Sequence, residues 1–227
     1  MALCGIVFDF DGVIANSEPL HLQGFAEVLA EEGVTLTSSE YYGRYLGYDD
    51  AAAFGAILSD HGRQWTSPFI DQLVARKALR LETLEARQSV LFPGAAAAVR
   101  RLAAEGPLAI ASGALHEEIL RVLRREHLDA CFTSIVAAED VEASKPSPAP
   151  YRKAVERLAA ARTGRTDPAC YIAIEDSHWG LESARAAGLK TVAVTHTYPA
   201  DTLTADWTVA NLDVLSWARL SELVDAV

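Results

Sequence analysis

A chain of 227 residues, half of them hydrophobic, has room for one large domain or for a core domain carrying a smaller insert. Its formal net charge of −11, with no basic stripe, argues against nucleic acid as a partner, so an anionic ligand would need local cations or a metal. Cys4, Cys131 and Cys170 lie far apart and form no C-x-x-C pair. They suggest neither a thiolate zinc site nor a disulfide framework, and read as small buried hydrophobes.

The opening stretch Met1–Phe8 has no basic leader, and its apolar run stops at Asp9. No apolar run approaches the roughly 18 residues of a membrane span. The expectation is a cytoplasmic protein without membrane contact.

In chain order, Gly5–Phe8 reads as a buried strand ending in Asp9-Phe10-Asp11-Gly12-Val13. Ser17-Glu18-Pro19 reads as a helix start with Ser17 as cap, and Leu22, Phe25, Ala26, Leu29 and Ala30 then recur at helical spacing. Residues 39–90 show no strand. Phe54, Ile57 and Leu58 mark a short helix, and Ile70, Leu73, Val74, Lys77, Leu81 and Leu84 a longer one. That is too much helix for an ordinary βα crossover. Residues 16–90 are therefore expected to be a small helical cap, inserted between residues 1–15 and 91–227 of an α/β core. Two connecting segments suit hinge closure.

From Phe92-Pro93-Gly94 onward, strands and helices alternate. The strands are Leu108–Ala111, Ser134–Ala137, Tyr171–Ile174, Thr191–Val194 and a short one near Trp207. The pattern predicts a Rossmann-like parallel sheet with right-handed crossovers.

Four strand ends carry chemistry: Asp9 and Asp11, then Ser112, then the loop holding Lys145, then Glu175 and Asp176. In a parallel sheet these ends share one edge. Taken singly, Ser112 reads as a helix cap, Lys145 as a solvated loop lysine, and Glu175-Asp176 as acids before a helix. Together they suggest phosphoryl transfer. The acids offer hard oxygen ligands suited to Mg²⁺, Lys145 a point charge, and Ser112 a hydrogen bond. A carboxylate nucleophile is a known route for phosphoryl groups.

The four motifs, Asp9-Phe10-Asp11-Gly12-Val13, Ser112, Lys145-Pro146 and Glu175-Asp176-Ser177, resemble those of the haloacid dehalogenase superfamily. The resemblance is to the branch with a small helical cap after the first strand, which includes phosphoglycolate phosphatase and β-phosphoglucomutase. It implies that Asp9 attacks phosphorus and becomes an aspartyl-phosphate, while Asp11 protonates the leaving oxygen and then activates water. It implies Mg²⁺ held by the Asp9 side chain, the Asp11 backbone carbonyl and Asp176, with Glu175 at or just outside the first shell. It gives Ser112 and Lys145 the transferring phosphoryl group.

In the cap, Glu18-Pro19-Leu20-His21 and Arg76-Lys77 look like the mutase's His-bearing segment and Arg-Lys pair. The mutase's cap loop carries an arginine for a second phosphate. The loop here, Leu46-Gly47-Tyr48-Asp49-Asp50, has an aspartate in its place, with Arg44 as an offset substitute. His21, Arg44, Gly47, Lys77 and Gly113 are candidate substrate-binding positions. The structural alternative is that His21 sits on a helix flank and Lys77 snorkels. Four tyrosines, Tyr41, Tyr42, Tyr45 and Tyr48, read as cap packing. The expectation is a monomeric, Mg²⁺-dependent phosphatase acting on a small phosphorylated metabolite. A sugar phosphomutase and a non-catalytic phosphate-binding protein are the alternatives.

Overall fold

The computed structural model describes residues 2–46, 48–86 and 89–225. Six strands form one parallel sheet: β1 (Gly5–Phe8), β2 (Leu108–Ala111), β3 (Phe132–Val136), β4 (Tyr171–Glu175), β5 (Lys190–Val194) and β6 (Trp207–Val209). The helices are α1 (Glu18–Glu31), α2 (Ser38–Glu40), α3 (Asp50–Asp60), α4 (Ser67–Glu85), α5 (Ala95–Ala103), α6 (His116–Arg125), α7 (Ala149–Leu158), α8 (His178–Ala186) and α9 (Trp217–Asp225).

Every residue of β1, β2 and β4 is buried. That is why these strands read as unbroken apolar runs rather than alternating ones. Ile6, Val7 and Phe8 are fully buried, each worth about 1.5–3 kcal/mol relative to exposure.

The strand order is β3-β2-β1-β4-β5-β6. The chain builds outward from β1 through β2 to β3, then returns to the other flank of β1 with β4. The order therefore reverses between β1 and β4, and the crevice outside the carboxyl ends of such a pair is where open α/β sheets bind ligands. Phe8 stands opposite Ile174, and the Asp9 N–H donates to the Ile174 carbonyl at 2.9 Å. Asp9 thereby follows beside Glu175.

The same register corrects the reading of the cysteines. Gly5 pairs with Tyr171, so Cys4 and Cys170, one residue earlier on each strand, come side by side with Cα atoms 5.2 Å apart, and a disulfide joins them. Their separation of 166 residues hid this, because strand pairing leaves no mark in cysteine spacing. Cys131 is a free thiol.

Two compact units result. One comprises Met1–Asn16 with Leu91–Val227, the other Ser17–Val90. In the first, the two connecting segments pair with each other: Ala15 bridges Leu91 antiparallel, and the Phe92 N–H donates to the Ile14 carbonyl at 3.0 Å. The second unit is helical, α1–α4 with a π-helical turn at Tyr41–Tyr45. Phe25, Leu29, Phe54, Ile57, Ile70 and Leu73 lie in its core. Ser17 stands at the N-cap of α1 but its hydroxyl makes no capping bond. The capping box lies instead at α2, where Thr37 and Glu40 satisfy each other's backbone N–H.

Candidate active site

β1 ends in Asp9 and β4 delivers Glu175 and Asp176, all three buried, with carboxylate oxygens within 4.8 Å of one another. Lys145 reaches them from the loop between β3 and α7. Its Nζ lies 2.9 Å from Asp9 Oδ1 and 2.6 Å from Glu175 Oε1.

Glu175 is saturated. Oε1 accepts from Lys145 and from the Tyr151 hydroxyl at 2.7 Å. Oε2 accepts the N–H groups of Asp176 and Ser177 at 3.1 and 3.3 Å, and the Ser177 hydroxyl at 3.0 Å. Ser177 also caps α8 by accepting the Gly180 N–H. A Cβ on Gly180 would lie 1.8 Å from Glu175 Oε1, so the helix can approach this carboxylate only with glycine there.

Three carboxylates face one ammonium. Burial, then the charge of Glu175, push Asp9 well above the usual carboxylate range against the pull of Lys145. Burial also pushes Asp176 up to about 6, with the Thr197 hydrogen bond opposing and the Glu175 charge adding. Burial alone would push Lys145 down. The charges of Asp9 and Glu175, and its bonds to both, outweigh that and hold it above the usual lysine range. Burial and the Glu175 charge keep Tyr151 protonated and donating. An all-oxygen set with excess negative charge is what a hard divalent cation relieves, so these residues fit Mg²⁺.

Asp11 lies in a tight turn. The Ile14 and Ala15 N–H groups both donate to the Phe10 carbonyl, and the Gly12 N–H donates to the Ala15 carbonyl. Gly12 takes the left-handed conformation at φ 77°, and a Cβ there would sit 1.9 Å from Asp176 Oδ2. Among the described residues, the Asp11 carboxylate is outside the three-acid cluster. Ser112 is buried after β2, accepting the Ala114 N–H at 3.0 Å through its hydroxyl. Its neighbour Gly113 has open space around it: a Cβ would meet nothing within 4 Å.

In the helical unit, His21 Nδ1 and Lys77 Nζ are 3.0 Å apart. Lys77 does not snorkel. It is fully buried, paired with Asp50, with its ammonium 4.1 Å from the Phe25 ring centroid. Arg44 pairs with Asp60 at 2.6 Å rather than joining that group, and Arg76 pairs with Glu31 and Glu32. Gly47 lies outside the described residues. Tyr41 and Tyr45 are packed as expected, whereas Tyr42 and Tyr48 are exposed.

Sequence reasoning missed three residues. Tyr151 lies in the first turn of α7, and nothing in its spacing ties it to Glu175. His196 and Thr197 follow β5, a fifth strand end on the same edge, and the edge rule applied there would have found them. Thr197 donates to Asp176 Oδ2, and His196 Nδ1 lies 2.9 Å from the Gly12 carbonyl oxygen.

Comparison with known proteins bears on this geometry. The chain is 30% identical to protein CbbY of Rhodobacter capsulatus over 234 residues, covering 98% of this chain and all of that one. It is 29% identical to a phosphoglycolate phosphatase of Cereibacter sphaeroides, covering 86% of each. Crystal structures of CbbY from Rhodobacter sphaeroides, one with phosphate and one of a mutant with xylulose-1,5-bisphosphate, superpose with a TM-score of 0.77 at 26% identity, covering 95% of this chain and 97% of theirs. The profile of the haloacid dehalogenase-like hydrolases matches residues 6–194, from β1 to the end of β5. The chain belongs to the haloacid dehalogenase-like hydrolase family.

Proposed function

We propose that the protein is a Mg²⁺-dependent phosphatase that hydrolyses a small phosphorylated metabolite through an aspartyl-phosphate. The observation that carries this is Lys145 bridging Asp9 and Glu175 at the switch point of the sheet, inside a cluster of three buried carboxylates. The names of its relatives, among them phosphoglycolate phosphatase and hexitol phosphatase B of Escherichia coli, support the same reaction class.

In this mechanism an Asp9 oxygen attacks phosphorus. The Phe10 N–H and Lys145 both engage Oδ1, which leaves Oδ2 to attack. The ester P–O bond breaks and Asp11 gives its proton to the leaving oxygen. Water then attacks the aspartyl-phosphate, Asp11 takes a proton from it, and phosphate departs with Asp9 restored. Lys145 and Ser112 hold the phosphoryl oxygens. Asp9, the Asp11 carbonyl and Asp176 would hold the metal, whose contribution is to neutralise charge on the phosphoryl group. The five hydrogen bonds on Glu175 support a role in holding Lys145 rather than as a metal ligand.

The phosphomutase reading draws on the His21–Lys77 contact. Asp50 on the same ammonium weighs against it, because a carboxylate there neutralises a charge that a second phosphate would need. We also read the enzyme as a monomer. No helix among the described residues is long and apolar enough to cross a membrane.

The test is a panel of phosphate esters with Mg²⁺, including β-glucose 1-phosphate, assaying free phosphate and sugar phosphates in parallel. Free phosphate from one or a few esters supports the proposal. Glucose 6-phosphate without free phosphate would make the protein a mutase. Binding of an ester without turnover would make it a non-catalytic binder.

A further inference from the structure

We infer that the turn after β5 belongs to the machinery of the site, with Thr197 as the positioning residue that orients Asp176 for the metal. The inference rests on the proposed role of Asp176 as a metal ligand.

Three consecutive residues of this turn each hold a different piece of the surroundings. The Thr197 hydroxyl donates to Asp176 Oδ2. His196 lies 2.9 Å from the Gly12 carbonyl through Nδ1, and its ring stacks on Phe92 with centroids 3.8 Å apart. Tyr198 packs against His178, two residues beyond Asp176, at 4.9 Å. The turn is thus fixed to the Asp11-Gly12 loop, to the start of α8 and to the segment paired with Ala15.

Asp176 Oδ2 accepts the Thr197 hydroxyl and occupies the space that a side chain on Gly12 would fill. The hydrogen bond from Thr197 orients the carboxylate and so bears on where Oδ1 points. A hydroxyl suits this task, because it is a neutral donor. It orients the carboxylate and leaves the negative charge in place for a cation. Lys145, by contrast, spends its charge on Asp9 and Glu175.

The experiment measures Mg²⁺ binding to the substrate-free protein by isothermal titration calorimetry, for the wild type, Thr197→Val and Thr197→Ser. Thermal unfolding in EDTA checks that each variant is folded. Valine keeps the shape and removes the donor, and its Mg²⁺ affinity should fall about tenfold or more. Serine restores the donor and should bind close to wild type. The Mg²⁺ concentration for half-maximal turnover should rise in step with the dissociation constant. Wild-type affinity in the valine variant overturns the inference. So does a serine variant as weak as valine, because packing rather than the hydroxyl would then matter. If valine disturbs folding, Thr197→Ser against Thr197→Ala makes the same comparison in a smaller frame. A wild type that binds no Mg²⁺ overturns the metal-ligand reading itself, a result distinct from the other two.

Discussion

Lys145 donates to Glu175 Oε1 at 2.6 Å, and the Tyr151 hydroxyl shares that oxygen at 2.7 Å. The carboxylate that positions the lysine is itself positioned from α7. Tyr151→Phe keeps the buried ring and removes one donor to a charged acceptor. It should lower stability by about 1.5–3 kcal/mol in urea denaturation. Turnover should fall too, because Lys145 loses part of its anchor. Unchanged stability would show that Tyr151 does not serve Glu175.

Gly180→Ala should be far worse than its small size suggests. The new methyl would overlap Glu175 Oε1, coming within 1.8 Å of it. Overpacking of this kind costs about 1–3 kcal/mol, and displacing Glu175 by about 1 Å should cost turnover about 10²-fold. Gly43→Ala is the control. A Cβ there meets nothing within 4 Å, so activity should hold and stability should rise by up to about 1 kcal/mol. Equal effects at both positions would contradict the crowding at Glu175.

The fold was largely legible in the sequence because parallel strands buried on both faces are written as apolar runs, as in Gly5–Phe8 and Tyr171–Ile174. The acids at their ends were legible for the same reason: once the sheet is parallel, Asp9 and Glu175 must share an edge. What stayed hidden depends on lateral neighbours. Cys4 and Cys170 are bonded because β1 and β4 are in register, which no spacing rule carries. Thr197 reaches Asp176 across adjacent strand ends, and Lys77 is buried because Asp50 and His21 receive its ammonium.

Metal removal should couple to pH with a definite sign. In the metal-free protein Asp176 is pushed up to about 6, whereas an unfolded aspartate titrates near about 4. Between those values the folded state binds more protons, so its stability falls as pH rises, by at most about 1.4 kcal/mol per pH unit for one group. Asp9, shifted in the same direction, adds to the effect. Mg²⁺ relieves the repulsion between the ionised groups. Thermal melts in EDTA should therefore fall from about pH 5 to about pH 7, and the stabilisation by Mg²⁺ should be larger at the higher pH. Stabilisation that is equal at both, or larger at low pH, would contradict the electrostatic picture.

The Lys77–Asp50 pair in the helical unit should respond unequally to loss of either partner. Lys77 is fully buried, while the Asp50 side chain is 34% exposed. Asp50→Ala leaves the buried ammonium with His21 but without its carboxylate and should cost toward the lower end of about 3–5 kcal/mol. Lys77→Met leaves a carboxylate that water can still reach and should cost roughly 1–2 kcal/mol. Urea denaturation of the two variants checks the order. The reverse order would mean that the pair does not hold Lys77 inside.

The role of Asp9 as the nucleophile of a phosphatase is tested most directly by phosphate release with saturating Mg²⁺, comparing the wild type with Asp9→Asn on the best ester of the panel. The amide is nearly isosteric but cannot form the aspartyl-phosphate. Turnover should therefore drop by at least about 10³-fold, with the variant still folded. Hydrolysis that survives Asp9→Asn at near wild-type rate would contradict the mechanism.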